Sequence, residues 1–172
     1  MIICLGIEST AHTFGIGIAS SNGEILFDAK ATYTPIAGRG IHPREAAQHH
    51  CEEAPRVIKW SLKESGIESA QIDAVAFSLG PGLGPVLRTG ATVARALAIW
   101  LDRPLVPVHH GIGHIELASL MTGAKDPLVV LVSGGHTTIA AFAERRCRVF
   151  GETEDITLGN LLDVFAREAS LP

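Results

Sequence analysis

His110 and His114, in the stretch VPVHHGIGHIEL, stand four residues apart. On a helix that spacing puts both imidazoles on one face, one turn apart, where they can reach a single divalent ion. Two imidazoles make only part of a first shell. The chain has 8 histidines, with adjacent pairs at His49-His50 and His109-His110, so the spacing also suits an ordinary helix surface. HExxH hydrolysis needs a glutamate directly after the first histidine. That position is Gly111, and Glu116 falls on a different helical face, so a zinc protease lacks its base. Two glycine-rich loops are the other candidates. In VSGGHTT, residues 132–138, Ser133, Gly134 and Gly135 offer backbone N–H groups without side-chain obstruction, which suits a phosphate or a developing oxyanion. A plain hairpin turn between two strands is the alternative. SLGPGLGP, residues 78–85, matches neither GxGxxG nor a Walker A loop, and by itself reads as turn chemistry.

These residues sit in a chain of 172 residues, 47% apolar, with 18 glycines and a formal charge of −4. That composition supports one well-filled core and lacks the basic footprint of an independent nucleic-acid binder. Cys4, Cys51 and Cys147 are far apart and form no CxxC, so they read as reduced thiols rather than a disulfide frame or zinc knuckle. MIICLGIE reaches an acid at Glu8 with no basic stretch before it, and no apolar run is long enough to span a bilayer. A cytoplasmic protein with no membrane contact is expected.

The elements that must position the candidates follow from periodicity. IICLGIE, FGIGIAS and EILFDAKATY read as a three-stranded meander, with Asn22-Gly23 supplying the positive φ angles of a tight hairpin. TPIAGRGIHP is a loop. A helix starts at Pro43 with Ala47, Cys51, Ala54, Val57, Ile58 and Leu62 at helical spacing; Pro55 should kink or split it, and Gly66 stops it. IDAVAFSLG is a strand, residues 86–101 a helix, PLVPV a strand feeding the histidine segment, and PLVVLVS, HTTIAAFAE and RCRVFGE three further strands before a helix at 158–169. A meander followed by alternating elements predicts an α/β fold, with a mixed sheet covered by helices on both faces. No internal repeat is visible.

Six motifs, in order, carry a resemblance along the whole chain: GIESTAHTFGIGI, GRGIHPREAAQHH, SLGPGLGPVLRTGATVARALA, VHHGIGHIE, LVSGGHTTI and GNLLDVFARE. The sequence resembles the universal tRNA threonylcarbamoyladenosine transferase family, once described as O-sialoglycoprotein endopeptidases, in the archaeal-like form found in the KEOPS complex. The resemblance implies an actin-like, sugar-kinase-like (ASKHA, ribonuclease H-like) fold of two lobes. It also implies transfer of a threonylcarbamoyl group from threonylcarbamoyl-AMP to N6 of the adenosine next to the anticodon, in tRNAs reading ANN codons. It assigns one divalent metal, iron or zinc with magnesium as the third candidate, to His110 and His114. The nucleotide, threonylcarbamoyl-AMP or ATP, is assigned to Leu131, Val132, Ser133, Gly134, Gly135 and Asp163, and Glu8 matches a catalytic-side acid facing the cleft. Leu131 stands where archaeal members usually carry a tyrosine, and His136 follows the bacterial GGHT form. His49 and His50 fall in a family motif and are read as structural.

Family members continue for about another lobe, so residues 1–172 are expected to be the N-terminal lobe with the C-terminal lobe absent, a fragment inactive alone and exposing apolar surface that favours self-association. The implied partners are tRNA, the missing lobe and KEOPS-type accessory subunits including a small kinase. A non-catalytic scaffold lobe and an ATP-binding protein of the same superfold are the alternatives. The first is disfavoured because inert relatives lack HxxxH, and the second because kinases of this class give that pair no role.

Overall fold

The computed structural model describes residues 1–36, 40–143 and 146–171, and it divides into two compact units, residues 1–110 and 111–172. The first unit is a five-stranded sheet with spatial order β3-β2-β1-β4-β5, formed by β1 (Ile3–Glu8), β2 (Thr13–Ser20), β3 (Ile25–Thr32), β4 (Ala74–Gly80) and β5 (Leu105–His109). The meander is antiparallel, whereas β4 joins β1 in parallel and β5 joins β4 in parallel.

Period-2 alternation fixes which face is dry. Leu5 is paired with Ile18 and Val75, Ile7 with Ile16 and Phe77, and all six are buried on one side of the sheet. Burying each such side chain contributes about 1.5–3 kcal/mol. Helices α1 (Pro43–Ser65) and α2 (Gly84–Leu101) close that face through Ala54, Val57, Ala94 and Ala98. The expected cover on both faces is therefore not what this unit's own helices provide: α1 and α2 share one core. The positions between the buried ones, Cys4, Gly6 and Glu8 on β1, are half-buried on the opposite face.

Three local expectations change. Only Gly23 of the Asn22-Gly23 pair has a positive φ, 88°. Ser20 closes the loop by accepting from the Gly23 N–H at 3.0 Å and donating to the Glu24 carbonyl at 2.9 Å, a three-residue turn with a glycine bulge rather than a two-residue hairpin. Helix α1 runs unbroken through Pro55 and ends at Gly66 in the left-handed region. Its buried face is also rotated by one residue: Ala46, His50, Ala54, Val57 and Ser61 are inside, while Cys51 is exposed. Residues 37–39 of the expected loop lie outside the described residues.

The second unit holds a separate three-stranded antiparallel sheet, β6 (Val129–Val132), β7 (Thr137–Ala143) and β8 (Arg146–Glu152), followed by α4 (Leu158–Glu168). Two sheets thus replace the single one expected, because β6 pairs with β7 and with none of β1–β5. The order of three antiparallel strands and then a helix occurs in both units, a repeat that the sequence does not display. Helix α3 (His110–Thr122) begins directly where β5 ends.

Candidate functional site

In the first unit the chemistry gathers at the C-terminal end of β1. Glu8 is its last residue, and the chain then turns sharply through Ser9 and Thr10, both buried. Glu8 Oε1 accepts from the Thr10 N–H at 2.9 Å and from the Thr10 hydroxyl. Its other oxygen, Oε2, lies 3.1 Å from Nδ1 of His110. A residue at the start of β1's turn and one 102 positions later are thus brought together, each about two-thirds removed from solvent.

The glycine-rich loop and the start of α2 pack closely against that turn. A Cβ on Gly82 would lie 2.6 Å from the Thr10 carbonyl oxygen, and one on Gly90 would lie 2.6 Å from Ser9 Cβ. Only glycine permits these approaches. The Leu83 N–H donates to the Thr10 carbonyl at 2.8 Å, the Ser9 hydroxyl to the Val86 carbonyl at 3.0 Å, and the Ser9 N–H to Ser78 Oγ at 3.0 Å. SLGPGLGP therefore acts on the carboxylate indirectly, by clamping the turn that carries it.

His50, inside α1, faces the same turn. It is fully buried, its Nδ1 lies 3.1 Å from His49 Nδ1, and its ring meets Phe14 edge-on. Burial pushes its pKa down, aided by His49 and opposed by the carbonyls of Ala11 and Thr13 and by Glu8.

His110 and His114 both lie on α3, as their spacing predicted. Two imidazoles on one helix, the first backed by a carboxylate on Nδ1, are donors that a borderline divalent ion accepts. Among the described residues no group of three or more His, Cys, Asp or Glu is placed to hold an ion. The donor types present, two imidazoles and a carboxylate hydrogen-bonded to one of them, suit such an ion but fall short of a complete ligand set.

In the second unit Leu131 and Val132 end β6, and Ser133–Gly135 form the β6–β7 turn, which is exposed. The backbone groups expected to be open are partly used within the turn. The Ser133 N–H donates to the His136 carbonyl at 2.8 Å, and Ser133 Oγ accepts from the N–H groups of Gly135 and His136 at 3.2 and 2.9 Å. The N-terminus of α4 packs on this turn: the Thr157 hydroxyl donates to the Gly134 carbonyl at 2.9 Å, and a Cβ on Gly159 would lie 2.7 Å from the Ser133 carbonyl. Asp163 is exposed, further along α4. A cavity of about 440 Å³ in the same unit is lined by Ile112, Val129, Phe142 and Cys147, among others, and by none of these residues.

Sequence reasoning missed Ser9, Thr10 and the glycines that lock them. The run Glu8-Ser9-Thr10 at a strand end was the available signal, since short hydroxyl side chains there bond to the backbone of a turn.

The model of the tRNA N6-adenosine threonylcarbamoyltransferase family matches residues 24–172. A protein of that name from Caldivirga maquilingensis is 60% identical over 171 residues, 99% of this chain and 51% of that protein. Its namesake from Pyrobaculum calidifontis is 55% identical over 169 residues, 98% of this chain and 50% of that protein. The chain spans about half the length of the curated relatives it matches. Among solved structures, YeaZ from Pseudomonas aeruginosa aligns with a TM-score of 0.60 at 18% identity, covering 89% of this chain and 67% of that one. The ethanolamine utilization protein EutJ from Carboxydothermus hydrogenoformans aligns at 0.58 and 17% identity, covering 100% and 58%. These likenesses show an actin-like fold.

Proposed function

The chain belongs to the tRNA N6-adenosine threonylcarbamoyltransferase family, and from that footing we propose that it supplies part of the cleft in which a threonylcarbamoyl group passes from threonylcarbamoyl-AMP to N6 of adenosine in tRNA. On this reading residues 1–172 serve as the N-terminal lobe of a two-lobed protein, inactive until the remaining side of the cleft is supplied. The observation that carries the reading is the Glu8–His110 contact at 3.1 Å on the helix that also bears His114, in a chain 60% identical to an enzyme of that name.

The exocyclic amine of adenine is a poor nucleophile, so the acyl carbon must be held in line and its oxygen stabilised. His110 and His114 would hold an iron, zinc or magnesium ion, and such an ion polarises an acyl carbonyl or neutralises a leaving phosphate. Glu8 belongs to this reactive end. Leu131, Val132, Ser133, Gly134, Gly135 and Asp163 are assigned to the adenylate. The Gly134 backbone and the hydroxyl-rich turn offer donors at the mouth of β6, and Asp163 offers an acceptor on α4. The formal charge of −4 means that tRNA is held largely by other surfaces, which supports KEOPS-type accessory subunits, a small kinase among them, as partners in the cytoplasm. No described helix is long and apolar enough to cross a membrane.

The test is transfer of radiolabelled threonylcarbamoyl from its adenylate to tRNA. It compares the chain alone, the chain fused to the part of the Caldivirga maquilingensis relative beyond the matched region, and the fusion carrying His110→Ala and His114→Ala. Label in tRNA from the fusion alone is the expected result. No transfer by a folded fusion rejects the reading.

A further inference from the structure

We propose that Glu8 is a positioning residue: its carboxylate fixes His110 as the tautomer with the proton on Nδ1, so that the ring presents its lone pair on Nε2. The inference rests on the reading of His110 as a metal ligand for its purpose, and on the geometry of the first unit for its mechanism.

An ionised carboxylate only accepts hydrogen bonds, so a 3.1 Å contact between Oε2 and Nδ1 places the proton on Nδ1. A neutral imidazole carries one proton, and fixing it on one nitrogen leaves the lone pair on the other. The carboxylate is itself oriented. Oε1 is committed to the Thr10 N–H, a donor that cannot reverse its role, and to the Thr10 hydroxyl, which turns Oε2 toward His110. Thr10 is 5% exposed and cannot relax, because its carbonyl is held by the Leu83 N–H and overlain by Gly82. A chain of contacts therefore runs from the glycine-rich loop through Ser9-Thr10 to Glu8 and on to one ring nitrogen. Carboxylates that orient imidazole ligands in this way raise metal affinity, and their loss costs about 10–100-fold.

Glu8→Gln is the discriminating variant, since it keeps shape and hydrogen-bonding capacity. The Thr10 N–H demands the amide oxygen, so the amide NH2 must face His110 and donate to Nδ1. The proton then moves to Nε2. Long-range 1H–15N spectra of the metal-free chain at about pH 8.5, where histidine is neutral, read the tautomer directly, with the His110 signals identified by their loss in His110→Gln. The expected result is Nδ1–H in the wild type, Nε2–H in Glu8→Gln, and cobalt(II) affinity about 10–100-fold weaker in the variant. A wild-type ring protonated on Nε2, or one unchanged in Glu8→Gln, overturns the proposal. Tautomers as expected but no cobalt binding by the wild type would uphold the positioning role and reject the metal reading of His110 instead.

Discussion

The hydroxyl of Thr157 donates to the carbonyl oxygen of Gly134 at 2.9 Å, and the Thr157 hydroxyl oxygen itself accepts from the Asn160 N–H at 3.3 Å. One side chain thus caps α4 and ties it to the β6–β7 turn. Thr157→Val keeps the volume and removes both bonds. It should destabilise the second unit by about 1–2 kcal/mol, whereas Thr157→Ser should cost far less. Faster amide hydrogen exchange across residues 158–162 and in the β6–β7 turn is the expected readout. Unchanged exchange there would show that the bond is not what holds the helix.

Gly90 sits in the interior of α2, where alanine ordinarily favours the helix by about 1 kcal/mol. Here a Cβ would fall 2.6 Å from Ser9 Cβ. Gly90→Ala is expected to destabilise by about 1–3 kcal/mol and to loosen the turn that carries Glu8. Gly84→Ala, with nothing within 4 Å of the new Cβ, serves as the control and should be neutral or stabilising. Equal melting temperatures for the two variants would contradict the close packing.

His50 makes stability depend on pH. Its folded pKa lies below the ordinary value because burial, and next the neighbouring His49, disfavour the cation. The unfolded chain therefore binds more protons than the folded one between the two pKa values, and stability rises with pH there. The contribution is fully present above about pH 6.5 and is lost as the pH falls from there through the lowered folded value. Urea midpoints at about pH 8 and about pH 5 should differ less in His50→Phe than in the wild type. Parallel pH profiles for the two proteins would remove His50 from the account.

Leu158, Leu161, Leu162 and Phe165 of α4 follow helical spacing, yet all four are more than 40% exposed. A stripe of that kind left in water favours association. Sedimentation is expected to show concentration-dependent oligomers, shifted toward monomer by Leu161→Glu together with Phe165→Glu. A monomer at every concentration would argue against an apolar contact through α4.

Much of the local structure is legible in the sequence. Alternation in IICLGIE and FGIGIAS marked β1 and β2, Pro43 and Gly66 marked the ends of α1, and the four-residue interval between His110 and His114 survived as one helix, because these signals depend only on local backbone geometry. The order of motifs pointed to the family, and the match over residues 24–172 bears that out. The phase of α1 was not legible. A buried histidine at position 50, flanked by exposed Cys51, reverses the usual preference, and only packing against Phe14 and the Ala11–Thr13 turn explains it. Nor could the sequence say that VVLV would leave the first sheet, since strand partners are chosen by register across distance and not by local periodicity.

The chemistry divides along the same line. Residue types and short spacings determined that this chain carries a histidine pair at helical spacing, a glycine-rich turn and a serine-glycine turn. The tertiary structure decided what each does: it turned Gly82 and Gly90 into close contacts for Thr10 and Ser9, used the N–H groups of Ser133 and Gly135 inside their own turn, and set Glu8 against His110 across 102 residues. A hydrogen bond acts over about 3 Å, and which groups come that close is settled by how strands pair and helices pack.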